Sequence, residues 1–243
     1  MANSRRNPRF GRRQSYGAAR GLIHSVQLFA TTLLVFAAVL ASVPVMAQSA
    51  SQAAPLKIVA FGDSLTAGYG LPAQDAFPAK LERVLRTKGV NAAIENAGVS
   101  GDTASGGLSR VDWSIPDDTD AVILELGAND MLRGIDPKLT REALDSILAK
   151  LKERNIVVLL CGMRAAPNLG SEYARAFESI FEDLARKYDS VFYPFFLDGV
   201  TTQTKFVMRD GLHPNAAGVD VIVAGIMPKV EELIARIGNK GRS

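Results

Sequence analysis

One cysteine, one tryptophan and two histidines are all that this 243-residue chain holds of those residue types. A single cysteine, Cys161, excludes an internal disulfide. It follows the apolar run Ile156–Leu160, where a small buried core residue is expected rather than a reactive thiol. Two glycine signatures are also missing. There is no G-x-G-x-x-G, since Gly68-Tyr69-Gly70 lacks the third glycine, so no dinucleotide cofactor is expected. The G-x-S-x-G elbow of the larger α/β hydrolases is absent as well. No H-x-x-H pair is present to suggest a metal site.

Acidic residues are missing from one region. Residues 1–50 contain none, against six arginines at positions 5, 6, 9, 12, 13 and 20. The stretch 26–46 is almost wholly apolar and leads into Val45-Met46-Ala47, with small residues where a signal peptidase cuts. Basic, apolar and small-residue regions in that order describe a secretory signal over residues 1–47. A short linker over 48–55 and one domain over 56–243 follow. An uncleaved anchor is the alternative, because the apolar run nears the roughly 18–20 residues that span a bilayer. Pro44 and the alanine and threonine content favour cleavage. The expectation is a periplasmic or secreted protein with no stable membrane insertion once the leader is gone. The whole chain carries 28 basic and 25 acidic residues, net +3. Taking away the six leader arginines leaves 22 basic against 25 acidic, net −3. The basic balance therefore belongs to the leader. No basic stripe interleaved with aromatics follows it, and nucleic acid is not an expected partner.

About 196 residues remain after Ala47, enough for a single domain with a substantial core. Short β-branched runs alternate there with longer amphipathic stretches. Strands are predicted at Lys57–Phe61, Asn91–Asn96, Ala121–Leu126, Ile156–Leu160 and Ser190–Tyr193. Helices are predicted at Asp75–Thr87, Thr103–Val111, Lys138–Arg154 and Ser171–Lys187, with a last one from Asn215 to about Ile237, interrupted near Pro228. This alternation calls for parallel strands, right-handed crossovers and helices on both faces. The expected fold is a three-layer α/β/α domain on a five-stranded, mainly parallel sheet. Ligands of such sheets bind beyond the carboxyl ends of the strands. Ser64, Gly98, Asn129 and the segment Asp210–His213 all fall at that edge.

Two of those positions have complementary chemistry. Ser64 sits on a glycine turn after an apolar strand, in Phe61-Gly62-Asp63-Ser64-Leu65, and is a candidate nucleophile. His213 follows Asp210 by three residues and is the only histidine outside the leader, which holds His24. A serine is a poor nucleophile until a base takes its proton, and a carboxylate beside the histidine fixes the tautomer that can do so. Read alone, Gly62-Asp63-Ser64 is also consistent with a plain strand-to-helix turn capped by Asp63 or Ser64. Gly101-Asp102-Thr103 reads as a capping turn, with Asp102 or Thr103 as N-cap.

Four segments carry a resemblance. They are Phe61–Leu65 with Thr66–Gly70, Asn96–Thr103, Glu125–Asp130 and Asp210–Pro214. In order and approximate spacing they resemble the four blocks of the GDSL, or SGNH, hydrolase family over nearly the whole mature chain. The resemblance implies a flavodoxin-like fold, with Ser64 as nucleophile, His213 as base and Asp210 as the carboxylate that orients it. It also implies an oxyanion hole built from the Ser64 and Gly98 backbone N–H groups and the Asn129 side-chain amide. No cofactor is implied. Small-molecule acyl esters, acyl thioesters and lysophospholipids are the implied substrates.

Met131, Leu132 and Ile135, with Leu169 in the Pro167–Gly170 loop, are candidates to line an acyl groove, or simply to pack under their loops. Three other readings compete. A carbohydrate acetyl esterase would share the same parts. A metal-dependent phosphoesterase would gather Asp63, Asp102, Asp130, Asp210 and His213 as ligands. A binding protein on the same fold would leave Ser64 unreactive.

Overall fold

The computed structural model describes residues 54–240. The predicted leader, and the linker up to residue 53, lie outside the described residues. Five parallel strands form one sheet: β1 Leu56–Gly62, β2 Ala92–Gly98, β3 Ala121–Glu125, β4 Val157–Cys161 and β5 Val191–Tyr193. Their order across the sheet is β2-β1-β3-β4-β5. That is the flavodoxin-like order, whose switch point lies between β1 and β3, the strands that flank the chain reversal.

Seven α-helices accompany the sheet: α1 Ser64–Ala67, α2 Phe77–Thr87, α3 Ala104–Ser114, α4 Ala128–Leu132, α5 Pro137–Glu153, α6 Ser171–Tyr188 and α7 Ala216–Lys240. α2 packs against α7, while α3, α5 and α6 follow one another in contact. Right-handed crossovers put the first pair on one face and the trio on the other. β3 is buried at every position, and Phe61, Leu124, Leu160, Phe177 and Ile226 have no exposed surface. The core is thus the two interfaces between the sheet and its helical layers, the arrangement that doubly apolar strands demand.

The helix starts are set by local chemistry. Asp136 accepts a hydrogen bond from the Lys138 N–H, and Pro137 follows at the first helical position of α5, where its missing N–H costs nothing. Thr103 caps α3 by accepting from the Gly106 N–H. Asp102 has a different task, described below. The two one-turn helices α1 and α4 are too short to show periodicity.

The expected break near Pro228 is absent. α7 runs for 25 residues through that proline. An interior proline forfeits one helical hydrogen bond and costs about 3 kcal/mol in isolation. Here Val219, Ile222, Val223, Ile226, Met227, Val230 and Leu233 are buried on both sides of it, and their packing outweighs that cost. Pro228 itself faces solvent. Replacing it with alanine is therefore expected to stabilise the fold by about 1 kcal/mol, measured by denaturant unfolding. A destabilised Pro228→Ala would show that the proline serves the native backbone.

Candidate active site

The site is assembled where β1, β2 and β3 end. Ser64 begins α1 directly after β1, and its side chain is almost buried. Asp63 caps the turn, its Oδ1 accepting from the Leu65 N–H at 3.0 Å, and Gly68 closes it in the left-handed conformation (φ 79°). As the first residue of that turn, Ser64 has an N–H with no helical acceptor.

His213 arrives from the far end of the chain. Its Nε2 lies 2.9 Å from Ser64 Oγ, and its Nδ1 lies 2.7 Å from Asp210 Oδ2. Asp210 Oδ1 accepts from the N–H groups of Leu212 and His213 at 2.9 and 3.1 Å, so the carboxylate is held by its own loop. Those bonds, the Leu212 one foremost and then the imidazole, lower the Asp210 pKa to about 2. A carboxylate so fixed accepts a hydrogen bond from Nδ1–H and leaves the Nε2 lone pair facing the serine hydroxyl. The Tyr69 ring lies over the imidazole, centroids 4.5 Å apart and planes tilted by 35°. Serine, histidine and aspartate, read separately from the sequence, thus form one hydrogen-bonded chain.

The three expected oxyanion donors stand differently. Asn129, in α4, donates from Nδ2 to Asp63 Oδ2 at 3.0 Å, which turns its amide toward the serine turn and leaves it a second N–H. The Gly98 N–H donates to Asn96 Oδ1 at 3.0 Å. Packing calls for glycine at 98. A Cβ there would lie 2.3 Å from the Ala67 nitrogen and 2.9 Å from the Asp63 carbonyl oxygen. The glycine lets α1 sit directly on β2.

Three buried groups support this edge; sequence reasoning gave Arg110 and Glu125 no role and named Asp130 only among metal ligands. Arg110 gives its Nε to Asp102 Oδ2 at 2.6 Å, Nη1 to the Ala97 carbonyl and Nη2 to the Gly62 carbonyl, with its guanidinium over the Phe61 ring. Asp130 accepts from the Ala104 N–H and the Thr140 hydroxyl, tying α4 to α3 and α5. Glu125, fully buried at the end of β3, accepts from the Thr66 hydroxyl at 2.8 Å. A carboxylate closing an apolar strand is rare enough to have been a signal. Nothing near Arg110 in the sequence marks it. With Asp102 and Asp130 committed in this way, the five proposed metal ligands do not gather. Among the described residues no group of three or more His, Cys, Asp or Glu is placed to hold an ion.

A cleft of about 360 Å³ opens at Ser64 and His213. Met131 and Leu132 line it, as expected, but Ile135 and Leu169 do not. Ile135 instead closes its own loop, its N–H bonding the Asp130 carbonyl and its carbonyl accepting from Tyr173 Oη. In place of Leu169, the segment Met163–Pro167 forms one wall and Phe195, Leu197 and Leu212 add to the lining. Arg164 is the one arginine or lysine in the lining, and its guanidinium rests over the Phe195 ring at 4.8 Å from the centroid. A second cleft of about 380 Å³ lies at the amino ends of β4 and β5, by Lys152, Tyr188 and Arg236, and holds no nucleophile paired with a base. Cys161 is buried, and burial pushes its thiol pKa well up, as suits a core residue.

Burial raises the Asp63 pKa to about 6, and burial with the neighbouring Asp63 charge raises that of Glu125. A raised acid binds its proton more tightly folded than unfolded. Its stabilising contribution is full below the unfolded pKa and is lost as pH climbs through the folded one. Asp210 has the opposite sign, losing its contribution only as pH falls toward 2. Stability is thus expected to decline between pH 5 and pH 8. Glu125→Gln should flatten that decline, as urea unfolding at the two pH values would show. An unchanged slope would mean that Glu125 does not hold its proton there.

A match to a known family spans all four blocks. Residues 60–221 match the model of the GDSL-like Lipase/Acylhydrolase family. An arylesterase from Vibrio mimicus is 37% identical over 168 residues, covering 69% of this chain and 84% of the relative. The thioesterase 1/protease 1/lysophospholipase L1 of Escherichia coli (strain K12) is 34% identical over 178 residues, covering 73% and 84%. Among solved structures, the SGNH-hydrolase family esterase AlinE4 superposes with a TM-score of 0.64 at 46% identity, covering 75% of this chain and 98% of that one. The chain belongs to the GDSL-like lipase/acylhydrolase family.

Proposed function

We propose that this protein hydrolyses carboxylic esters and acyl thioesters, lysophospholipids among them, through an acyl-enzyme on Ser64. The observation that carries the reading is the chain Asp210–His213–Ser64, with links of 2.7 and 2.9 Å, at the mouth of an apolar cleft. Ser64 Oγ attacks the acyl carbon as His213 Nε2 takes its proton. Negative charge collects on the former carbonyl oxygen, where the Asn129 amide and the Ser64 N–H can meet it. Gly98 adds a third donor when its N–H leaves Asn96. Collapse expels the alcohol or thiol, protonated by His213, and a water deprotonated by the same imidazole then frees the acid. The chemistry is centred on the acyl carbon, so the leaving group is loosely constrained. With the leader removed, the enzyme works outside the cytoplasm, unanchored.

Ser64→Ala is expected to lower turnover of a p-nitrophenyl ester by at least roughly 10⁴-fold while leaving the fold intact. A fluorophosphonate probe should label the parent and not the variant, and full turnover in Ser64→Ala would end the covalent mechanism. A steep preference for acetyl over longer acyl esters would favour the carbohydrate acetyl esterase. Arg164 supports substrates bearing an anion beyond the scissile bond, such as the phosphate of a lysophospholipid. Arg164→Ala should therefore reduce kcat/KM about tenfold for a lysophospholipid and change a neutral ester little. Equal losses on both would assign Arg164 to packing alone.

A further inference from the structure

Behind the serine turn lie two carboxyl groups that no step of the proposed reaction uses. Asp63 and Glu125 are both 0% exposed. Glu125 stands opposite Gly62 in the register of β3 and β1, which places it beside Asp63. Its Oε2 accepts from the Thr66 hydroxyl at 2.8 Å and from the Asp63 N–H at 3.4 Å. Its Oε1 is buried with no donor facing it. The Asp63 N–H bond to Oε2 and the strand register set the two carboxyl groups side by side. Two anions so close in a water-excluded site would repel strongly, and no lysine or arginine pairs with either, so one of them keeps a proton. Arg110, next door at the Gly62 carbonyl, directs its donors to Asp102, Ala97, Ser114 and Gly62.

The surroundings decide which acid holds the proton. Asp63 accepts on both oxygens, Oδ1 from the Leu65 N–H and Oδ2 from Asn129 Nδ2, each at 3.0 Å. Glu125 has an oxygen that accepts nothing. The proton therefore belongs on Glu125, and the charge on Asp63.

We propose that Glu125 is a positioning residue: as a neutral acid it donates to Asp63, fixing the carboxylate that aims the Asn129 amide at the developing oxyanion. The inference rests on the ester-hydrolase reading, since that reading gives Asn129 its task. Geometry makes the route short, because one residue, Asp63, bonds the serine turn and the Asn129 amide through its carboxylate and Glu125 through its own N–H. A donor swung away from the oxyanion costs turnover while leaving ground-state binding alone.

The test is a double-mutant cycle on a neutral p-nitrophenyl ester. Glu125→Gln, Glu125→Met and Asn129→Ala are made singly, and Glu125→Met is combined with Asn129→Ala. Glu125→Gln keeps a donor toward Asp63 and is expected within about threefold of the parent kcat. Glu125→Met has no donor and is expected to lose roughly tenfold or more in kcat at nearly unchanged KM. In the Asn129→Ala background, Glu125→Met should cost little more, because the group it positions is gone. The proposal is overturned by full kcat in Glu125→Met, by glutamine failing as badly as methionine, or by equal loss in both backgrounds. Should Glu125→Met fail to fold by circular dichroism, Asp63→Asn takes its place in the cycle under the same two criteria for kcat loss and additivity. A parent whose turnover survives Ser64→Ala would sink the ester-hydrolase reading itself, an outcome the cycle cannot mimic.

Discussion

Between the ends of β1 and β2 there is no room for one more carbon. A Cβ on Gly62 would stand 2.2 Å from Thr66 Oγ1 and 2.5 Å from the Glu125 carbonyl oxygen, and one on Gly98 would run into Ala67. Because both positions lack side chains, the turn carrying Ser64 sits directly on the sheet edge. Its place is then fixed from three sides. The Asp63 cap holds it from within, Arg110 gathers the Gly62 and Ala97 carbonyls beneath it, and Thr66 reaches Glu125 on the neighbouring strand. A nucleophile needs its hydroxyl placed to within a fraction of an ångström of its base. This packing supplies that from the side of the serine.

The two aspartates flanking the serine are kept in contrasting states. Asp210 lies near the surface, satisfied by backbone donors of its own loop, and remains charged down to strongly acidic pH. Asp63 is sealed in the interior, where its charge is costly and depends on the partners around it. In the proposed reaction the first orients a base that gains and loses a proton in each cycle. The second faces groups that should not move. Separating two like carboxylates by environment is how one fold gives them different duties.

Much of this was legible in the chain. Apolar runs on both parities announced buried parallel strands, and four short blocks announced the serine, the amide and the aspartate-histidine pair. What escaped had physical reasons. Arg110 acts through contacts across strands, of which local sequence carries no trace, and Glu125 showed only as a carboxylate closing an apolar strand. Pro228 was read by intrinsic preference, which a well-packed helix of 25 residues overrides. Ile135 was chosen for being apolar and just after the Asn129 block, Leu169 as the apolar residue of the Pro167–Gly170 loop. Backbone bonding drew the first into its own loop, and the cleft wall is formed by its neighbours Met163–Pro167 instead. At Gly98 the missing side chain makes space for a helix, a packing need that only the fold reveals.

The serine and its base come from opposite ends of the folded chain, joined only by a 2.9 Å contact. Synthesis proceeds from the amino end, so a nascent polypeptide displays the hydroxyl while the imidazole is still unmade. A piece that stops short of the loop before α7 lacks the imidazole that faces the serine. Timing is thus written into topology: the pairing of hydroxyl and imidazole waits until nearly all of the chain has emerged.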